Sequence, residues 1–416
     1  MAIGYACVTI GVEDTGLCKC VLRKAEEANL SAVISSNLKA LEKMIDYNIA
    51  NGIKLFRISS DIIPFASHPV NKLPWWSDYE EQFHILKDKL LKSGMRVSMH
   101  PGQYTVLNSP EKDVVERAVS DLIYHDRLLT ALGMENSKLV LHVGGIYGDK
   151  RQAVQRFLYN YRSLSQELKD RIILENDDRN YTIQDVLEIS GQTGAPVVFD
   201  QLHHRVNPSE YAFPDAYWIE ESGRTWRRLD GKQKLHYSQQ KKGGNAGAHS
   251  DTIYLAEFLD YYDQLPDQEV DIMLEVKDKN LSAIKCINGI LNRTGKELEA
   301  EWARYQYYVL GKSEKAYQEI KRLMDNKELS VVREFYDLIE TAASLPRDID
   351  AEVKAATQVW EYMRKDSTPA ERKRYEKLLE AVRSKGADLQ PVKNHLLKCA
   401  KARGIPYLLQ ALYFYL

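Results

Sequence analysis

Residues 96–104 read Arg-Val-Ser-Met-His-Pro-Gly-Gln-Tyr, a short apolar run that stops at His100 and is followed by Pro101-Gly102. The Pro-Gly pair closes a strand and opens a loop, so this strand delivers an imidazole to its own C-terminal end. One such histidine carries little weight, because a lone histidine is more often a satisfied structural residue than a ligand. The same event recurs along the chain. Strand-like runs are expected at Ile3–Val8, Lys54–Ile58, Arg96–Met99, Leu139–Val143, Arg171–Leu174, Pro196–Phe199, Gln233–Tyr237 and Val270–Leu274. Between them lie helix-like runs such as Asn37–Ala50, read as opening on an Asn cap, and Asp113–Leu132, closed before Gly133. Eight strands, each followed by a helix, predict an α/β fold, a closed (β/α)8 TIM barrel. No Gly-x-Gly-x-x-Gly turn follows the first run, which argues against a dinucleotide fold.

Polar residues gather just past these runs. They are Arg57 and Asp61, with His68 further on; His100; His142; Glu175; Asp200 with His203 and His204; Lys234 and His236; His249; and Glu275. Barrel strands are buried on both faces, so charge at their ends has either a partner or a purpose. A single strand-end carboxylate often caps the next helix or pairs with a basic neighbour. Imidazoles and carboxylates converging on one barrel mouth are instead a mixed N/O donor set for zinc, manganese or cobalt. Their number exceeds what one ion can take, which implies two or three ions, with carboxylates such as Glu175 shared between them. Lys234 alternates with His236 onto the same face, as a phosphate contact or a modified ligand. His84, His125, His204 and His395 are read as structural.

Two units are expected: a barrel over 1–285 and an all-α region of unknown role over 286–416. Helices are expected at Glu297–Val309, Ser313–Asn326, Ser330–Ala343, Asp350–Arg364, Pro369–Ser384 and Pro391–Ala402, with a capping box at Thr368–Glu371. Residues 281–416 carry 24 Lys+Arg against 19 Asp+Glu, so the acidic excess lies in the first 280 residues, where bound cations would offset it. The basic stretch Pro369–Arg403 reads as a solvated helical face, or as a surface for duplex backbone that includes Arg372, Lys373 and Arg374. Five scattered cysteines fit reduced thiols, and the absence of a leader or a long apolar span points to a cytoplasmic protein with no membrane association.

The first 280 or so residues resemble the bacterial ultraviolet damage endonucleases. The likeness rests on Gly4-Tyr5, Phe56–Asp61 with Pro64–His68, Ser98–Asn108, His142–Gly145 and Leu174–Asp178. It continues through Val198–Asp200 with His203, Lys234–Ser238, Gly247–Asp251 and Asp271–Lys279. This resemblance implies a DNA-repair hydrolase related to apurinic endonuclease IV. Its partner would be damaged double-stranded DNA, nicked on the 5′ side of cyclobutane dimers, 6-4 photoproducts and some abasic sites, leaving a 3′-hydroxyl and a 5′-phosphate. By position, His100, His142 and Glu175 would hold one ion; Glu175, Asp200, His236 and Glu275 a second; His203 and His249 a third. His68 would be a ligand or a phosphate contact. Manganese is the first expectation, with zinc, cobalt or magnesium as alternatives. Glu175, His236, Lys234 and Glu275 are the expected catalytic group, with Lys234 a candidate for carboxylation. Gln103 and Tyr104 would enter the duplex at the lesion, with Tyr5 and Arg57 also on the DNA side. Thr9 stands where the pattern leads one to expect Asn. A monomer is expected. The competing readings are a metal-dependent barrel sugar isomerase or epimerase and a non-catalytic DNA-binding scaffold.

Overall fold

The structure is a computed structural model that describes residues 1–293, 295–325 and 331–416. Eight strands run through the first part of the chain: Ile3–Cys7 (β1), Leu55–Ile58 (β2), Arg96–Met99 (β3), Lys138–His142 (β4), Ile172–Glu175 (β5), Val197–Val198 (β6), Lys234–Tyr237 (β7) and Asp271–Leu274 (β8). They are parallel, in the order β6-β5-β4-β3-β2-β1-β8-β7. The two ends of that series meet. Asp200, just past β6, bridges in parallel to His236 of β7, whose N–H donates to the Phe199 carbonyl at 3.0 Å. The barrel therefore closes at two of the expected ligand positions, and the sequence-based fold and all eight strand positions hold to within a residue or two.

One helix differs from its sequence reading. It runs Glu27–Ala50, so Asn37 lies in its interior and caps nothing. The Asn37 side chain is buried and accepts from the Cys18 N–H while donating to the carbonyls of Cys18, Asp61 and Ile62. A polar residue recruited for tertiary bonding has the same one-letter signature as a cap.

The two rims of the barrel treat charge differently. At the N-terminal rim, Lys138 at the start of β4 donates to Asp230 at 2.5 Å and to the Asp170 carbonyl at 2.6 Å. Arg96 at the start of β3 meets Asp271 at the start of β8 at 2.8 Å. Lys138 and Arg96 thus each have a carboxylate beside them. At the C-terminal rim, carboxylates and imidazoles face one another.

Contacts divide the chain into two compact units. One comprises Met1–Thr9, Asp14–Ile253 and Asp260–Ile284; the other Ile10–Glu13, Tyr254–Leu259 and Lys285–Leu416. The second is helical, with Lys296–Leu310, Glu314–Asp325, Val332–Ser344, Ile349–Arg364, Pro369–Lys385 and Gln390–Arg403. Its core includes Tyr307, Val359, Trp360, Met363, Leu396 and Phe414, and the Thr368–Glu371 capping box is formed. The expected helix limits at Asn326 and Ser330 lie outside the described residues.

Burial alone would raise the Asp230 carboxyl, but bonds from Arg227 and Lys138 hold it down to about 2. Its folded pKa lies below the unfolded one, so its contribution is present above the ordinary Asp value of 3.8 and is lost as pH falls towards 2. Asp230→Asn, which leaves Lys138 buried without its counter-charge, is expected to cost about 3–5 kcal/mol in urea unfolding at pH 7. An unchanged midpoint would contradict the role assigned to this rim.

Candidate metal centre

Glu175, the last residue of β5, is fully buried, and three imidazoles converge on its carboxylate. Its Oε2 lies 3.0 Å from His100 Nε2 and 3.4 Å from His142 Nε2, and its Oε1 lies 2.5 Å from His236 Nδ1. Parallel register sets part of this, since His142 of β4 pairs directly with Glu175 of β5. His236 Nδ1 is also 3.3 Å from Glu275 Oε1, just beyond β8. Two three-residue groups have donor atoms within 4.8 Å of one another: His100, His142 and Glu175, and Glu175, Asp200 and His236. Glu175 is common to both.

The chemistry of this pocket fits divalent cations. Asp200 Oδ2, His142 Nδ1 and His236 Nε2 are buried without a hydrogen-bond partner, although buried polar atoms are nearly always satisfied. Burial lifts the Asp200 carboxyl above its ordinary range, and the charges of Glu175 and Glu275 add to the effect. Burial would lift Glu175 as well, but His236, His142 and His100 draw it well below the usual range. Burial opposes charge on His203, yet Asp200, Glu175 and Glu275 raise its imidazole to about 9. The His203 proton thus offsets part of the converged carboxylate charge, and a bound cation would compete with it.

The remaining expected residues divide into several groups. His203 Nδ1 is 2.9 Å from the Asn176 carbonyl and 3.7 Å from Asp200 Oδ1, with its ring 5.8 Å from that of His142. His249 Nε2 is 3.8 Å from Glu275 Oε2, and its ring is 6.4 Å from that of His203. Both flank the cluster, and neither joins a three-donor group among the described residues. His68 is exposed, accepts from the Val70 N–H at 3.1 Å and belongs to neither group. Lys234 is buried beneath His236 and donates to Ser98 Oγ at 3.0 Å. Burial, with the charges of Arg96 and Arg57, brings its ammonium down to about 7.

Two residues expected on the DNA side are engaged in bonds within the chain. Tyr5 is fully buried against Phe56; its hydroxyl shares a 2.6 Å bond with Thr9 and donates to Asn48 of the helix Glu27–Ala50 at 2.8 Å. It faces the helical layer. Thr9, in place of the expected Asn, is the residue that completes this bond. Arg57 donates to Glu275 Oε1 and orients that carboxylate from inside the mouth. Gln103 and Tyr104 do reach solvent: Tyr104 is 79% exposed and borders a cleft of about 820 Å³ that Arg57, His100 and Glu275 also line. A Cβ on Gly102 would lie 2.7 Å from the Tyr104 ring, so glycine lets the ring fold back beside the strand end.

Asn176 was not singled out from the sequence. Its side chain clamps the Asp200 backbone at both N–H and carbonyl, at 2.9 and 3.0 Å, while its own carbonyl meets His203. Its one signal is adjacency to Glu175 at a strand end. Of the histidines read as structural, His125 is buried 2.8 Å from Ser60 Oγ, His204 packs on Phe199 and Trp218, and His395 meets the Glu371 carbonyl, while His84 is exposed. In the helical unit Arg372 donates to the Ser367 hydroxyl and carbonyl, and Arg403 to Glu371.

Residues 3–299 match the family model described as UV-endonuclease UvdE, and residues 306–416 match one described as a protein of unknown function (DUF1722). A Clostridium perfringens protein named UV DNA damage endonuclease is 38% identical over 356 residues, covering 84% of this chain and 85% of the relative. A Bacillus velezensis protein of the same name is 33% identical over 269 residues, covering 64% and 83%. The solved structure of SacUVDE is similar at a TM-score of 0.66 and 35% identity, over 70% of this chain and 99% of that one.

Manganese added to chelator-treated protein is expected to raise its melting temperature, by about 2.7 kcal/mol of stabilisation per site at a hundredfold excess over Kd. Glu175→Ala should remove most of that rise and lower the bound-ion count by more than His203→Ala does, as read by elemental analysis. Equal losses from the two substitutions would contradict the central place of Glu175.

Proposed function

The chain belongs to the UV-endonuclease family and is a DNA endonuclease, a hydrolase, and on that premise we propose which bond it cuts and which residues do so. The substrate is duplex DNA carrying cyclobutane dimers, 6-4 photoproducts or abasic sites. Hydrolysis falls on the 5′ side of the lesion and leaves a 3′-hydroxyl and a 5′-phosphate. The observation that carries this reading is the juxtaposition on one strand end of His100, which meets Glu175 at 3.0 Å, and the exposed Gln103-Tyr104 pair.

Two or three divalent ions, manganese first, would lower the pKa of a water nucleophile and supply positive charge against the phosphoryl oxygens. His100, His142, Glu175, Asp200, His236 and Glu275 are their proposed holders, with His203 and His249 at the edge and His68 at most a phosphate contact. Arg57 fixes the direction of the Glu275 carboxylate. Asn176 fixes the backbone at Asp200. Lys234, with an ammonium lowered to about 7, presents a partly neutral amine at neutral pH, which suits carboxylation and a ligand role. Gln103 and Tyr104 wedge into the stack, where a damaged step resists less than intact DNA.

A small-polyol isomerase would have no use for a solvent-facing tyrosine beside an open cleft, and the family assignment does not favour it. The protein is proposed to act as a monomer in the cytoplasm; among the described residues no helix is long and apolar enough to cross a membrane.

Irradiated supercoiled plasmid with manganese should be nicked well above an unirradiated control, and Glu175→Ala should reduce nicking to background. Gln103→Ala with Tyr104→Ala should lower the preference for irradiated DNA by tenfold or more, from a stacking contribution of about 1–3 kcal/mol per base. Equal nicking of both plasmids by the unsubstituted chain would refute the lesion specificity.

A further inference from the structure

The loop after β4 carries an aromatic residue that folding does not account for. Ile146 and Tyr147 are both exposed, at 40% and 46%, and follow His142-Val143-Gly144-Gly145 directly. The Asp149 N–H donates to the Ile146 carbonyl at 3.0 Å, closing a tight turn whose central residues, Tyr147 and Gly148, both have positive φ, 48° and 81°. Such a turn suits Asn or Gly at its first central position, and a tyrosine there is strained. Backbone strain of this kind persists only where the surroundings hold it, and it concentrates at working sites.

The surroundings hold it firmly. Asn108 donates to the Gly145 carbonyl at 2.7 Å, Tyr181 to the same carbonyl at 3.2 Å, and Asn180 to the Gly144 carbonyl at 3.2 Å. A Cβ on Gly145 would lie 3.1 Å from the Tyr147 ring, so the glycine makes room for it. Arg156 donates through Nε to the Asn108 carbonyl at 2.8 Å, and its guanidinium lies 5.5 Å from the centre of the Tyr147 ring. Asn108 belongs to the same connection as Gln103 and Tyr104, so one residue ties the two loops together. They flank His100 and His142, whose rings are 5.1 Å apart.

We propose that Tyr147 is a second DNA-contacting aromatic, which stacks on a nucleobase freed when the damaged step is opened, with Arg156 orienting its ring and placing positive charge beside it. This rests on the lesion-nuclease reading above. Gln103 and Tyr104 open the stack from one loop, and Tyr147 receives a base from the loop joined to it. Base–aromatic stacking accepts any base, as a contact to variable sequence around a lesion must.

The test uses the full chain and a duplex with a single cyclobutane dimer, with 2-aminopurine opposite the lesion in one strand set. Tyr147→Gly suits the positive φ and should not lower the melting temperature, so the protein stays folded while the ring is lost. Its affinity for the dimer duplex should fall on the order of tenfold while affinity for undamaged duplex stays within about twofold. Tyr147→Phe should bind nearly as the unsubstituted chain does. 2-Aminopurine should be quenched on binding by the unsubstituted chain and by Tyr147→Phe, and less so by Tyr147→Gly. Unchanged lesion affinity and quenching in Tyr147→Gly would overturn this proposal alone. No lesion preference in the unsubstituted chain would overturn the nuclease reading and this proposal with it.

Discussion

A carboxylate buried at the end of β5 and shared by imidazoles from β3, β4 and β7 is the interaction on which the rest of the barrel mouth depends. An isolated buried carboxylate is costly, so it either takes up a proton or finds positive charge. For Glu175 burial acts in that direction, but His236, His142 and His100 draw its carboxyl well below the ordinary range. The same oxygens that accept from imidazoles lie where the two candidate cation groups overlap. Substitution of this one residue therefore reaches every part of the proposed centre.

The closing seam of the barrel passes through that centre. Asp200 and His236 are ligand candidates and also the residues that bridge β6 to β7. β6 is only two residues long, so little regular pairing supports the seam on that side. Asn176 compensates by holding the Asp200 backbone at both ends. Architecture and chemistry are thus coupled at β6, and cation binding there would also strengthen barrel closure. The opposite rim needs no such help, since Lys138–Asp230 and Arg96–Asp271 pair its charges internally.

The eight strands were legible because each is a short apolar run with turn residues behind it, a pattern that depends on local sequence alone. The clustered donors were legible for a related reason: in a parallel barrel every strand end points to one mouth, so chain order is enough to bring His100, His142, Glu175, Asp200 and His236 together. Residues whose role is set by tertiary neighbours were not legible. Asn37 has the sequence signature of a cap and serves instead as a buried four-bond link. Tyr5 alternates along β1 onto the helical side, and only the position of Asn48 explains why its hydroxyl can be buried. Asn176 carries no signal beyond its neighbour, because its work is done through backbone groups that a sequence does not display.

The placement of Tyr5 and Arg57 bears on where the proposed lesion selectivity would arise. Tyr5 is bonded within the helical layer and Arg57 to Glu275, so both side chains are held by intramolecular bonds. Under the proposed function, discrimination would fall to side chains that reach solvent at the rim. Gln103 and Tyr104 do so from a loop tied at its base by Thr105, which donates to Asp121 at 2.6 Å. A wedge on a rigid base returns more of its contact energy as discrimination, because little is spent on ordering the loop when DNA arrives. If Gln103 and Tyr104 act as proposed, the short connection from Tyr104 back to His100 would let a step that fails to open also keep its phosphate from the buried carboxylates. Recognition and hydrolysis would share one geometric condition.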